Sequence, residues 1–460
     1  MARLAFPLLL LVAVAAFWAG GFFIWTSYGE LEAVERPAPE SFSPELVARG
    51  AELAAIGNCG VCHTEQGGAP FAGGRAMPTP FGTIHATNIT PDEATGIGNW
   101  SLTAFGRSMR DGVDREGRHL YPAFPYDHFT LVTDADNEAL YAYLMTRPPV
   151  AEETPANDLT FPFNLRPLIA GWKLLFFERG AFEPAEGQSE EWNRGFYLAE
   201  GLAHCGACHT PRNFLGAERS DRHFEGAEIE GWYAYSIGSQ SPAPTPWTEE
   251  AMAFYLANGW HERHGVSRGP MAPVTSNLAT VPPADIHALA TYVVAQMPGG
   301  GAEPAETATM PVRATPSADS QQVPVPGGSD SQQGAAIYAA ACGICHDAGR
   351  PLPYGGIDLS HSSAVYGENP QNLINVTLHG LPAAEGESSP VMPGFAGTLD
   401  EDELVALIDY MRERFSDRPA WTDTRERVQG NLSGETQPTL YRSHGAGGAP
   451  ANLGRGGVSW

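Results

Sequence analysis

The chain has 460 residues, 17% of them charged, and acidic residues outnumber basic ones 53 to 27 for a formal net charge of −26. That balance excludes a nucleic-acid-binding surface, which needs clustered Lys and Arg, and a polybasic attachment to anionic lipid. The length suits about three domains, and 52 Gly with 39 Pro predict short helices joined by much loop.

Leu4 to Trp25 carries no charge, and roughly 20 apolar residues span a bilayer core. Arg3 precedes the run, Glu30, Glu32 and Glu35 follow it, and Trp18, Trp25 and Tyr28 lie toward its far end. The positive-inside rule then predicts an anchor over 1–30, with residue 1 in the cytoplasm and the body outside. Ala13-Val14-Ala15 is a small-x-small site for signal cleavage. Cutting there would leave Phe17-Trp18 and Phe22-Phe23-Ile24-Trp25 at a new terminus, so an uncleaved anchor is expected. No later stretch is suited to span; the apolar run around Leu168–Phe177 is short and contains Lys173.

The body repeats three times. Arg49-Gly50-Ala51-Glu52-Leu53 leads to Cys59, Arg194-Gly195-Phe196-Tyr197-Leu198 leads to Cys205, and Gln333-Gly334-Ala335-Ala336-Ile337-Tyr338 leads to Cys342. Each reads as an amphipathic entry helix. Closing helices follow Thr133, Pro282-Pro283 and Thr398, and each carries Leu-x-x-Tyr on one face: Leu140 and Tyr143, Leu289 and Tyr292, Leu407 and Tyr410. Thr133 and Thr398 are the expected N-caps. The entry-helix glycine would let the closing helix approach closely. The predicted organisation is an anchor (1–30), a first domain (41–149), a linker (150–187), a second domain (188–298), a flexible Gly/Pro/Ser linker (299–330), a third domain (331–416) and a tail (417–460). The tail is Gly-rich, has isolated aromatics, and is expected to order against a partner.

All six cysteines fall in three motifs: Cys59-Gly60-Val61-Cys62-His63, Cys205-Gly206-Ala207-Cys208-His209 and Cys342-Gly343-Ile344-Cys345-His346. C-x-x-C-H predicts covalent haem c attachment. Two thiols at that spacing match the two vinyl groups, and the next histidine lies under the iron as the proximal ligand. A zinc site would gather further Cys or His in one module, and a dithiol redox motif would not need a histidine three times. Three haem c groups are therefore expected, with His63, His209 and His346 as axial ligands.

The sixth ligand should come from the loop before each closing helix. Gly269-Pro270-Met271 offers Met271, and Pro390-Val391-Met392-Pro393-Gly394 offers Met392. In the first unit Phe124 stands where a Met is expected, and Phe cannot ligate iron. His128 is the best replacement, His119 the second and Met109 the third; an open iron is the remaining alternative. A bis-His iron would have a lower potential than a His/Met iron.

These features resemble the tri-haem cytochrome c subunits of bacterial membrane-bound dehydrogenases, over residues of roughly 40 to 416. The specific strings are Thr87-Asn88-Ile89-Thr90-Pro91-Asp92, Gly96-Ile97-Gly98-Asn99-Trp100, Tyr121-Pro122-Ala123-Phe124-Pro125-Tyr126 and Cys205-Gly206-Ala207-Cys208-His209-Thr210-Pro211-Arg212-Asn213. The resemblance implies a mainly α fold: three tandem class I cytochrome c domains behind an N-terminal transmembrane helix. Many members of that family place a Met ligand where this chain has Phe124, so that carry-over fails here. Phe124 with a nearby His, together with Ala170 to Phe177, looks most like cytochromes paired with molybdopterin-dependent aldehyde or N-heterocycle dehydrogenases.

The implied function is relay. A periplasmic catalytic subunit, accompanied by a small iron-sulfur subunit, would oxidise substrate. Its electrons would pass through the three haems to ubiquinone or a terminal oxidase, and this chain would do no substrate chemistry. The implied location is the bacterial inner membrane, with the haem domains in the periplasm. One alternative is the cytochrome subunit of a flavin- or PQQ-dependent alcohol or sugar dehydrogenase. The second is a haem peroxidase or ligand sensor acting at the first haem.

Overall fold

The computed structural model describes residues 20–21, 27–299, 329–350, 355–382 and 390–441. Most of the expected anchor, most of the flexible linker and the end of the tail lie outside the described residues. Among the described residues no helix is long and apolar enough to cross a membrane. The chain divides into two compact units between Glu183 and Pro184, and the fold is mainly helical.

In the first unit, α1 (Pro44–Ile56) leads into the single-turn α2 (Cys59–Cys62). Ser43 caps α1 by accepting from the Leu46 N–H, with Pro44 at the first helical position, where its missing N–H costs nothing. The hairpin β1 (Ala76–Thr79) and β2 (Gly82–His85) follows, then α3 (Leu102–Asp111), α4 (Tyr126–Phe129) and the closing helix α5 (Asp134–Met145). Thr133 caps α5 as expected, accepting from the Asp136 N–H. A Cβ on Gly50 would sit 2.0 Å from Ala139 O and 2.7 Å from Tyr143 Cβ. The absent side chain is thus what lets α1 cross α5.

Of the expected linker 150–187, the part through Phe176 belongs to the first unit. Strand β3 (Asp158–Leu159) pairs antiparallel with β2, and α6 (Pro167–Phe176) packs on the same unit. Asn157 Oδ1 accepts from the His85 N–H at 2.9 Å, and Val150 O accepts from Asn88 Nδ2 at 2.8 Å. The stretch is held by individual polar bonds, one to a side chain and one to its backbone, which Pro- and Glu-rich composition does not reveal.

In the second unit, α7 (Glu190–Phe196) runs through a π-helical segment, Tyr197–Leu202, to α8 (Gly206–His209). The hairpins β4 (Ala227–Ile229)/β5 (Trp232–Ala234) and β6 (Trp260–His261)/β7 (Gly265–Val266) flank α9 (Glu249–Asn258). Then come α10 (Met271–Leu278) and the closing helix α11 (Pro283–Ala295). The third repeat has α12 (Ser329–Ala341), α13 (Gly343–His346), α14 (Ser363–Tyr366), α15 (Gln371–His379) and the closing helix α16 (Glu401–Phe415). The first close approach recurs twice: a Cβ on Gly195 would meet Ala288 O at 1.9 Å, and one on Gly334 would meet Ala406 O at 2.1 Å. Asp400, not Thr398, caps α16. Its side chain accepts from the Glu403 N–H while the Glu403 carboxylate accepts from the Asp400 N–H, so the acidic pair satisfies two donors where Thr would satisfy one.

The tail expectation also changes. Trp421 is buried and donates to Gly367 O at 3.0 Å, and α17 (Thr424–Ser433) packs on α16. Beyond it the chain follows the β4–β5 turn: Thr439 N–H donates to Glu230 O, and Trp232 Nε1 donates to Thr439 O, both at 3.0 Å. Single anchoring aromatics hold this segment, so it has no periodicity for a sequence reading to find. Helix α15 meets β5 through a two-way bond between the Asn372 amide and the Tyr233 backbone, at 2.8 and 2.7 Å.

Candidate haem-attachment sites

Each motif occupies one helical turn. The His63, His209 and His346 N–H groups donate to the carbonyls of Cys59, Cys205 and Cys342, each at 3.0 Å. A turn closed this way sets both thiols and the following imidazole on one short element. None of the six cysteines is in a disulfide. Burial pushes the Cys59 thiol up to about 12, with the neighbouring Cys62 adding to the effect. Burial, with Glu200 and Cys208 beside it, does the same to Cys205, and burial raises Cys342 to about 11. Burial of this kind favours the protonated thiol over the thiolate.

The imidazoles are oriented by a device the sequence reading missed. His63 Nδ1 lies 2.6 Å from Thr87 O, His209 Nδ1 2.6 Å from Tyr235 O, and His346 Nδ1 2.7 Å from Ile357 O. A carbonyl only accepts, so Nδ1 carries the proton and Nε2 keeps its lone pair for a metal. Burial lowers the pKa of His63 and of His209, opposed by those same carbonyls, so both imidazoles are neutral and able to ligate. Paired free thiols with an adjacent, tautomer-locked imidazole fit haem c, and they fit it three times. The carbonyl partners could not be read from side-chain identity. The only positional signal is that Thr87 and Tyr235 each lie just past the β-hairpin that follows their motif.

The candidate sixth ligands are placed as follows. Met271 is half-buried at the first position of α10. Met392 is half-buried and pairs through its backbone with Leu381, at 2.8 and 3.0 Å. Arg268 ties the two segments together, donating to Gly380 O at 3.2 Å. His128 is buried on α4, one turn past the half-buried Phe124, which packs on Phe129 at 5.2 Å between ring centroids. His119 is buried with its Nδ1 3.2 Å from Lys173 Nζ, and Met109 is in the core on α3.

The Thr87–Trp100 strings are structural. Asn88 donates to Thr95 Oγ1 and to Val150 O, while Asp92 accepts from the Thr95 hydroxyl and N–H. Those bonds hold the Asp92 carboxyl below its usual range. A Cβ on Gly96 would strike Thr90 O at 2.2 Å, so this clasp needs a glycine there.

Lys173 is buried against the first motif's unit, donating to Asp111 O at 2.5 Å and Gly112 O at 2.8 Å. Burial pulls its pKa from 10.5 down to about 7. Below pH 7 the folded and unfolded chains both hold that proton, and the burial penalty is at its largest. Between the two pKa values only the unfolded chain holds it, so stability rises with pH by up to ~1.4 kcal/mol per unit. Lys173→Met is therefore expected to raise the melting midpoint at pH 7 and to flatten the rise toward pH ~10. Parallel melting curves for variant and parent across that window would contradict this.

The repeated motif, helix pair and locked imidazole define a c-type cytochrome. Residues 47–148 match the family described as cytochrome c, and residues 329–411 match cytochrome C oxidase, cbb3-type, subunit III. The fructose dehydrogenase cytochrome subunit of Gluconobacter japonicus is 33% identical over 92% of this chain and 90% of its own length. The alcohol dehydrogenase (quinone) cytochrome c subunit of Gluconacetobacter polyoxogenes is 34% identical over 83% of each. A nicotinate dehydrogenase subunit of Pseudomonas putida is 43% identical over 85% of this chain, which spans only 32% of that protein. The chain belongs to the family of cytochrome c subunits of membrane-bound dehydrogenases.

Proposed function

We propose that this chain relays electrons from a dehydrogenase catalytic subunit through three c haems, held in three tandem cytochrome c domains, to ubiquinone or a terminal oxidase. The observation that carries this reading is the thrice-repeated Cys-x-x-Cys-His turn with its Nδ1-to-carbonyl lock. Bound haem iron supplies one-electron exchange between its ferrous and ferric forms. The chain's own residues fix each histidine's tautomer and supply the sulfur ligands Met271 and Met392. The catalytic partner is a molybdopterin-dependent dehydrogenase with a small iron-sulfur subunit. Supporting this are 43% identity to the nicotinate dehydrogenase subunit against 33–34% to the fructose and alcohol dehydrogenase subunits. The haem domains lie in the periplasm, held to the inner membrane by Leu4–Trp25.

The first haem takes His128. That residue is buried one turn beyond Phe124, on the loop where the sixth ligand is expected. Reduced protein is then expected to bind almost no carbon monoxide, and His128→Ala is expected to open one haem of the three. Carbon monoxide binding at a third of the haem in the parent protein would instead support a ligand-binding or peroxidase role. Purification of the intact membrane complex tests the partner: a flavin or quinone-cofactor catalytic subunit would overturn the molybdopterin reading.

A further inference from the structure

Helix α6 buries Ile169 and Ala170 together with a lysine and leaves its leucines outside. Its one charged residue, Lys173, points inward and is bonded to Asp111 O and Gly112 O. Arg166, just before it, also turns inward, donating to His119 O at 2.9 Å with its guanidinium over the Tyr121 ring. The leucines point out: Leu168 is 50% exposed, Leu174 56% and Leu175 70%, and Phe161 upstream is 77% exposed. Leu168 and Leu175 are two turns apart and share a face. Scattered exposed leucines need no explanation, but a contiguous apolar face with its charges withdrawn marks a contact surface.

The root of the N-terminal apolar run lies beside this helix. Tyr28 stacks edge-on against His119, with ring centroids 5.6 Å apart, and His119 Nδ1 is 3.2 Å from Lys173 Nζ. The emerging backbone is pinned to the same unit. Arg107 donates to Gly29 O at 2.8 Å, Leu31 N–H donates to Arg115 O at 2.9 Å, and Gly117 approaches Tyr28 O so closely that a Cβ would lie 2.2 Å from it. The chain therefore leaves Leu4–Trp25 and, within three residues, contacts the residue that touches α6.

We propose that the outer face of α6, with Phe161, seats in the headgroup boundary of the lipid bilayer beside the anchor. An interfacial helix buries its apolar face about 5–10 Å deep, and here the protein body takes the charged side that water would otherwise solvate. Continuity with the anchor's root selects lipid over a protein partner, and the proposal rests on the anchor reading given above. Helix α6 itself presents no cation outward, and the exposed Arg179 beyond it is paired with Asp111 at 2.8 Å, so the contact is apolar and indifferent to lipid charge. Seating it would orient the whole first unit, including the Phe124–His128 loop: Trp172 on α6 packs against Tyr126 at 6.3 Å.

The test uses the full chain, haem-loaded, in phosphatidylcholine vesicles. All six native cysteines lie in the haem motifs, so a nitroxide can be attached at Leu175→Cys, with Phe214→Cys, 87% exposed in the other unit, as the aqueous control. The label at 175 is expected to collide several-fold more with oxygen, and several-fold less with a water-soluble nickel chelate, than the label at 214. The pattern should persist at high salt. Equal access of the chelate to both positions would overturn the proposal. So would shielding of 175 from both reagents that appears only with the catalytic subunit bound, which would assign the face to that subunit. A chain that carbonate washes off the vesicles overturns the anchor reading as well; a chain that stays bound with a wet position 175 overturns this proposal alone.

Discussion

Replacing Cys342 and Cys345 together by serine is expected to lower covalent haem from three per chain to two, with the other two attachment sites still loaded. Each motif is a self-contained turn: the His346 N–H closes on Cys342 O, and the imidazole is oriented by Ile357 O, without help from the other two motifs. Cys342 is buried beside Tyr338, in a cluster that includes Leu359, Leu404, Leu407 and Trp421. Losing the thioether bonds, and with them the haem, removes the apolar surface these helices pack on. The effect should be local, so amides of α12 and α16 are expected to lose exchange protection while those of α1 and α5 keep it. Intact haem content in the double variant would mean that these thiols are not the attachment points. Loss of all three haems would mean that the sites are not independent.

Gly334→Ala is expected to destabilise, although a Gly-to-Ala change inside a helix ordinarily stabilises by roughly 0.5–1 kcal/mol. The added methyl would lie 2.1 Å from Ala406 O and 2.7 Å from Tyr410 Cβ, both fixed parts of α16. Neither can yield without moving the helix, and overpacking of this kind costs roughly 1–3 kcal/mol or more. Gly195→Ala should behave alike, with Ala288 O at 1.9 Å. Gly106, inside α3, is the control, because nothing lies within 4 Å of its would-be Cβ. Gly106→Ala should gain stability while Gly334→Ala loses it. Amide exchange in each helix pair measures both signs in the same chain. Matching gains would remove the close approach from the explanation of the repeat.

The haem motifs, the entry-helix glycines and the Leu-x-x-Tyr closing helices were legible in the sequence because each is a covalent or steric demand on a side chain. The Nδ1 acceptors were not, because a carbonyl belongs to every residue and only folding brings Thr87, Tyr235 and Ile357 under the imidazoles. The stretch after 149 and the tail after 416 misled for a related reason. Asn157, Trp421 and Thr439 hold them through isolated bonds that leave no period. Lys173 read as an interruption of an apolar run. Its burial beside Ile169 and Ala170, with the leucines turned outward, is visible only in three dimensions.

The most direct test of three covalently held haems is the mass of the intact, denatured chain isolated from a membrane that attaches haem. The expected mass is that of the polypeptide plus three haem groups, with no free thiol among the six cysteines. A chain carrying fewer haems, with a matching pair of reactive thiols, would contradict it.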